Sequence, residues 1–127
     1  MASILVIEDM PDIRDIITRQ LHYAGHQVIS AANGFDGIAC ARAYLPDLVL
    51  MDLVMPVLNG WEAIAQLKAD TCCGALPIVA ITARAETEIK EKARAVGFDA
   101  LISKPFTMHE LLAVVDALTS IAEEAAG

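Results

Sequence analysis

The hydrophobic pattern repeats five times along the chain: a short apolar run, then a segment whose apolar residues fall at helical spacing. The runs at residues 4–7, 27–30, 48–51, 78–81 and 101–103 predict strands. A run that is apolar throughout, such as 48–51, suits a strand covered on both faces rather than one face of a wet sheet. Pro11 opens the first predicted helix, Ile13, Ile16, Ile17 and Leu21 form its inner face, and Gly25 ends it. Asn33 with Asp36, and Asn59 with Glu62, set a capping side chain three residues before an acid at the next two helix starts. The fourth helix is read from Ile89, Ala93 and Val96, with Gly97 as its stop. Thr107 with Glu110 makes a capping box for the last helix, whose apolar face is Leu111, Leu112, Val115 and Leu118.

Strands alternating with helices of this length specify an α/β fold, a five-stranded parallel sheet with helices on both faces, because right-handed crossovers are nearly obligatory. The expected strand order is the flavodoxin-like 2-1-3-4-5, with its switch point beside the first strand. No repeat or linker marks a second domain, so residues 1–127 form one domain, with a core at about 3–120 and a frayed acidic, alanine-rich tail at 121–127.

Composition narrows the class. Apolar residues make up 56% of the chain, yet no run reaches the length of a membrane span, and residues 1–7 are too short for a secretory signal. A soluble cytoplasmic protein without membrane insertion is expected. A net charge of −8 repels phosphate backbones, which disfavours direct nucleic-acid binding. Three cysteines cannot close a disulfide framework, and adjacent Cys72 and Cys73 lack zinc-site spacing, consistent with a reducing compartment.

Ligands of an open α/β sheet bind outside the carboxyl ends of its strands. Glu8, Asp9, Asp52, Thr82 and Lys104 all fall at such ends. Taken singly they are unremarkable: a solvated helix cap, an ordinary strand threonine, a surface Lys-Pro turn. Together they define a pocket. Carboxylates ~5 Å apart at an effective dielectric constant near ~20 repel by roughly 3 kcal/mol per pair, so the cluster binds a proton or attracts a cation. Mg²⁺ is the natural remedy, because it takes oxygen ligands and is commonly held by one or two carboxylates together with a phosphate. The three acids are matched in charge by Mg²⁺ plus Lys104, and an acyl phosphate on Asp52, carrying about −2, would leave the site near about −1.

The motifs Glu8-Asp9, Asp52 followed by Met55-Pro56 and Asn59-Gly60, Thr82-Ala83 and Lys104-Pro105-Phe106, in this order, closely resemble the receiver domain of two-component response regulators. The resemblance runs from Ser3 to about Ser120. It implies that Asp52 accepts a phosphoryl group from a sensor histidine kinase or a histidine phosphotransfer protein. It implies that Asp9 ligates Mg²⁺ directly and Glu8 through water, with Asp52 and the main-chain carbonyl of Val54 completing the protein ligands. Lys104 would pair with the phosphoryl oxygens, Thr82 would hydrogen-bond one of them, and the bond before Pro105 would be cis. The chain is then a regulatory phosphoacceptor that catalyses no reaction but its own phosphoryl transfer and slow dephosphorylation. Phosphorylation would draw Thr82 inward and bias a surface of the fourth helix, fifth strand and fifth helix towards a downstream protein target. Arg84, Lys90, Arg94, Leu101 and Phe106 are the candidate contact residues. Two positions depart from the family pattern. Leu101 stands where an aromatic ring is usual, and apolar Val54 cannot orient a water as an amide side chain would, which predicts slow self-dephosphorylation.

Other classes fit less well. A flavodoxin-type domain cradles an anionic phosphate after its first strand, where this chain has Glu8-Asp9-Met10-Pro11. An aspartyl-phosphate phosphatase normally has a second acid at the position of Val54. A degenerate receiver acting as an adaptor would have lost site groups that are all present here. The Met1 start favours a free-standing regulator, a monomer or weak dimer, over a relay receiver cut from a hybrid kinase or larger regulator.

Overall fold

Covering a parallel sheet requires helices on both of its faces, and the chain supplies them in strict alternation. The computed structural model describes the backbone of residues 2–55, 58–70, 74–83 and 87–126, with side chains described as far as residue 119. Its elements are β1 (Ser3–Ile7), α1 (Pro11–Tyr23), β2 (Gln27–Ala31), α2 (Gly34–Tyr44), β3 (Leu48–Asp52), α3 (Gly60–Ala69), β4 (Ile78–Thr82), α4 (Thr87–Val96), β5 (Ala100–Ser103) and α5 (Met108–Ala126). The strands form one parallel sheet in the order β2-β1-β3-β4-β5, as the sequence reading expects.

Successive residues of a strand point to opposite faces, and the core divides accordingly. Leu5, Ile7, Val49, Met51, Ile78 and Ala80 face one buried cluster, which Ile38 of α2, Ile64 and Leu67 of α3 and Ala93 of α4 complete. Ile4, Val6, Leu48, Leu50, Val79 and Ile81 face the other, closed by Ile17 and Leu21 of α1 and Leu111 and Val115 of α5. β3 and β4 are buried along their whole length, whereas the edge strands β2 and β5 are half-exposed, as their weaker apolar patterns foretell.

The caps form as read. Asn33 Oδ1 accepts the Asp36 amide at 2.8 Å, Asn59 Oδ1 accepts the Glu62 amide at 3.0 Å, and Thr107 Oγ1 accepts the Glu110 amide at 3.1 Å. Gly25 and Gly97 take positive φ, 95° and 113°, the left-handed backbone suited to ending α1 and α4.

Two apolar positions differ from the sequence reading. Ile16 is 54% exposed because it lies ~100° round α1 from Ile17, which occupies the inward direction, and Val96, at the end of α4, is 39% exposed. α5 is helical from Met108 to Ala126, in keeping with the high helix propensity of its Ala and Glu residues. Asp52 and Thr82 are the last residues of β3 and β4, at the carboxyl ends where the sequence reading puts them. Pro56, Cys72 and Cys73 lie outside the described residues.

Candidate functional site

The register of the sheet assembles the site. Ile7 pairs with Met51, Asp52 with Ile81, and Thr82 with Ser103, so the next residue of each strand emerges at the same edge. Backbone bonds carry the ladder past the strand ends: Glu8 donates to the Ala31 carbonyl at 3.1 Å, Leu53 to Ile81 at 3.0 Å and Lys104 to Thr82 at 2.7 Å. The side chains at these ends are therefore mounted on hydrogen-bonded backbone continuous with the sheet.

Glu8, Asp9 and Asp52 each bring a carboxylate oxygen into one cluster whose ligand atoms all lie within 4.8 Å of one another. At that separation each like-charge pair costs about 3 kcal/mol at an intermediate dielectric. Glu8 is fully buried, Asp52 is 4% exposed and Asp9 is half-buried. The Lys104 ammonium donates to Asp52 Oδ2 at 3.0 Å and to Glu8 Oε1 at 3.4 Å. The Val54 amide donates to Asp52 Oδ1 at 3.0 Å, so the Asp52 carboxylate is held from both sides.

The charges are under strain. Burial lifts the Glu8 carboxyl from 4.5 to about 7, the adjacent Asp52 carboxylate adds to the rise, and Lys104 opposes it. Burial works against the Lys104 ammonium, but Asp52 and then Glu8 outweigh it and hold the group above the ordinary lysine value. Among the described residues, Glu8 Oε2 is a buried side-chain oxygen with no hydrogen-bond partner. One ammonium does not satisfy three carboxylates. An orphaned oxygen inside an all-oxygen acidic cluster is the donor set a hard dication takes, so these residues fit Mg²⁺.

Thr82 is 3% exposed and ends β4. The Lys104–Pro105 peptide bond is cis. Leu101 is half-buried and packs on the α3/α4 side of the core. With Lys90 and Arg94 it lines a hollow of about 240 Å³, closed by Phe98 and Asp99. Phe106 lies elsewhere: with Ile13, Ile16, Pro105 and Met108 it lines an apolar groove of about 550 Å³ that Lys104 borders. The candidate contact residues thus divide between two surfaces, and Arg84 lies outside the described residues.

Arg14, which the sequence reading passed over, and Gly60, which it read only as part of the Asn59-Gly60 motif, belong to the surroundings of the site. Arg14 Nη1 donates to the Glu8 carbonyl at 2.8 Å. Gly60 starts α3 so close to the site that a Cβ there would meet the Asp52 carbonyl oxygen at 2.6 Å. The Asn59-Gly60 dipeptide was the available signal for the second. An arginine in the first turn of a helix that follows an acidic strand end was the available signal for the first.

A family model described as a response regulator receiver domain matches residues 4–116. Protein PilH of Pseudomonas aeruginosa is 39% identical over 118 residues, which span 93% of this chain and 98% of that protein. Chemotaxis response regulator CheY4 of Vibrio cholerae superposes with a TM-score of 0.88 at 30% identity, covering 93% of this chain and 98% of that one. The receiver domain of the sensor histidine kinase PA1611 of Pseudomonas aeruginosa, solved with magnesium in its active site cleft, gives 0.86 at 29% identity over 94% and 98%. Several other curated relatives are covered over about half of their length or less, so this unit also occurs within longer proteins.

Proposed function

This chain belongs to the response regulator receiver family, whose members act as phosphoacceptors in two-component signalling, and we propose that Asp52 is the residue that accepts the phosphoryl group. Receiver domains interact with histidine kinases or phosphotransfer proteins and bind Mg²⁺ at an acidic pocket. The observation that carries the assignment is Lys104 Nζ at 3.0 Å from Asp52 Oδ2 beside the clustered Glu8 and Asp9.

A phosphohistidine presents its phosphorus to an Asp52 oxygen; the new O–P bond forms as the N–P bond breaks, and the imidazole nitrogen leaves with the electron pair. Asp52 attacks as the carboxylate, so no general base is needed. The transition state is loose and highly charged, so positioning and electrostatics supply the acceleration. Val54 N–H and Lys104 hold the Asp52 carboxylate in place, and Lys104 then pairs with a phosphoryl oxygen. Asp9, Asp52 and the Val54 carbonyl, with Glu8 through water, would hold Mg²⁺. Bound there, the ion neutralises charge that develops on the transferring oxygens. Thr82, at the end of β4, supplies a hydroxyl to the phosphorylated state.

The apolar groove of Ile13, Ile16, Phe106 and Met108 adjoins Lys104 and suits the apolar face of a helix that carries the donor histidine. The hollow at Lys90, Arg94 and Leu101 is the surface proposed to change for the downstream target. Residues 1–127 act as one receiver unit, a regulator with no reaction beyond its own phosphorylation and dephosphorylation. A relay role, passing the phosphoryl group to a second histidine, is the alternative, supported by the likeness to a receiver domain of a sensor kinase.

Trp61 follows Gly60 at the start of α3, which makes its fluorescence a reporter for the pocket. Titration with Mg²⁺ and then a small phosphodonor should change the signal in two steps, with an acid-stable, hydroxylamine-labile phosphate mapped to Asp52. Labelling that survives in Asp52→Asn overturns the assignment.

A further inference from the structure

We propose that Arg14 is a positioning residue for the acidic cluster, acting through the Glu8 main chain rather than through a carboxylate. The proposal rests on the reading of Glu8, Asp9 and Asp52 as a Mg²⁺ site. Consecutive residues of an extended chain point to opposite faces, yet Glu8 and Asp9 deliver ligand atoms to the same cluster. The backbone must therefore turn at the peptide that joins them. β1 ends at Ile7 and α1 begins at Pro11, so this turn is made within residues 8–10. The peptide entering Glu8 is anchored to the sheet by its N–H on the Ala31 carbonyl, 3.1 Å away. The peptide leaving Glu8, which sets the direction of Asp9, is anchored by Arg14 Nη1 on the Glu8 carbonyl at 2.8 Å.

Nothing else in the turn duplicates this contact among the described residues. Met10, the residue before α1, caps the helix without a side-chain hydrogen bond. Arg14 is half-buried on the first turns of α1, and its own amide donates to the Met10 carbonyl at 2.9 Å, so backbone and side chain together close the segment between strand and helix. A guanidinium suits this task, since it is always charged and its planar fork is held in a fixed orientation.

Direct electrostatics and positioning predict opposite signs. Removing a cation near a dication site tightens binding if charge alone matters. If Arg14 aims the acids, its removal weakens binding. Mg²⁺ affinity of the full chain, read by Trp61 fluorescence and by calorimetry, separates them in Arg14→Met, Arg14→Lys and the control Arg19→Met, which removes an exposed charge from the same helix. The expected result is a dissociation constant raised about tenfold in Arg14→Met, the scale typical of partners that orient metal ligands. Arg14→Lys, which keeps a charged donor without the planar fork, should recover part of that loss, and Arg19→Met should be unchanged or slightly tighter. Unchanged or tighter binding in Arg14→Met overturns the proposal, as does an Arg14→Lys chain no better than Arg14→Met. Circular dichroism and a urea midpoint in Mg²⁺-free buffer accompany each variant. An Arg14→Met chain that no longer folds assigns Arg14 to the fold and overturns the proposal too. A parent chain that takes up no Mg²⁺ defeats the underlying site reading instead.

Discussion

The Lys104 ammonium lies 3.0 Å from Asp52 Oδ2, although 52 residues separate the two in sequence. The contact exists because β3 and β5 flank β4 in one parallel sheet and end at the same edge. The same lysine reaches Glu8 at 3.4 Å, so one ammonium spans two of the pocket's carboxylates.

Replacing Lys104 with Met should therefore have two opposite effects. Mg²⁺ should bind about tenfold more tightly, because a competing cation is gone. Phosphoryl transfer from a small phosphodonor should slow by about a hundredfold, because a charge-stabilising donor is lost. Fluorescence titration and stopped-flow transfer kinetics measure the two separately, and a fall in both would contradict this placement of Lys104.

Glu8 gives the pocket a pH dependence. Its folded-state value, about 7, lies above its ordinary 4.5, so between these values the folded chain holds a proton that the unfolded chain has released. Stability without Mg²⁺ is full below that window and falls as pH rises through it, by on the order of 3 kcal/mol. Mg²⁺ binding requires the ionised acid, so affinity should climb with pH and level off above about 7. Glu8→Gln should flatten both trends and stabilise the Mg²⁺-free chain above the window by roughly 1–3 kcal/mol. Urea unfolding on either side of the window tests the sign.

The Val54 amide holds Asp52, and the residue is 73% exposed with a side chain that offers nothing polar to a water. Val54→Asn should shorten the phosphoryl half-life by about tenfold, the value of one well-aligned hydrogen bond to the attacking water. An unchanged half-life would remove the basis for slow self-dephosphorylation.

Gly60 allows α3 to start against the backbone of Asp52. A Cβ there would lie 2.6 Å from the Asp52 carbonyl oxygen and 2.8 Å from Leu53 Cα, and main-chain atoms cannot swing aside. Gly60→Ala should cost about 1–3 kcal/mol of stability and weaken Mg²⁺ binding at the same time, as Asp52 is displaced. Paired denaturation and calorimetry would show the two losses together. A variant that is destabilised but binds Mg²⁺ normally would uncouple α3 from the site.

Much of the site was legible because its residues sit at the ends of strongly apolar runs. The run at 48–51 announces a buried strand, and a carboxylate at its end has few places to go but the sheet edge. Ile16 was misread as core for the converse reason: periodicity marks a helical face, but neighbouring Ile17 and Ile16 compete for it, and packing against Val6 and Ile81 admits one. The contact residues Leu101 and Phe106 are five apart in sequence, yet they end on separate surfaces, because one lies on β5 and the other beyond its end.

Pattern alone determined the alternation of elements, their caps, the acidic balance and the five chemically distinctive residues, because hydrophobic period, turn chemistry and charge are local properties. Tertiary structure decided what those residues do to one another. Burial raises Glu8, the register sets Lys104 on Asp52, and Arg14 closes on a main-chain carbonyl that no sequence motif records. Each of these depends on distances between segments far apart in the chain, and such distances exist only once the sheet has ordered its strands.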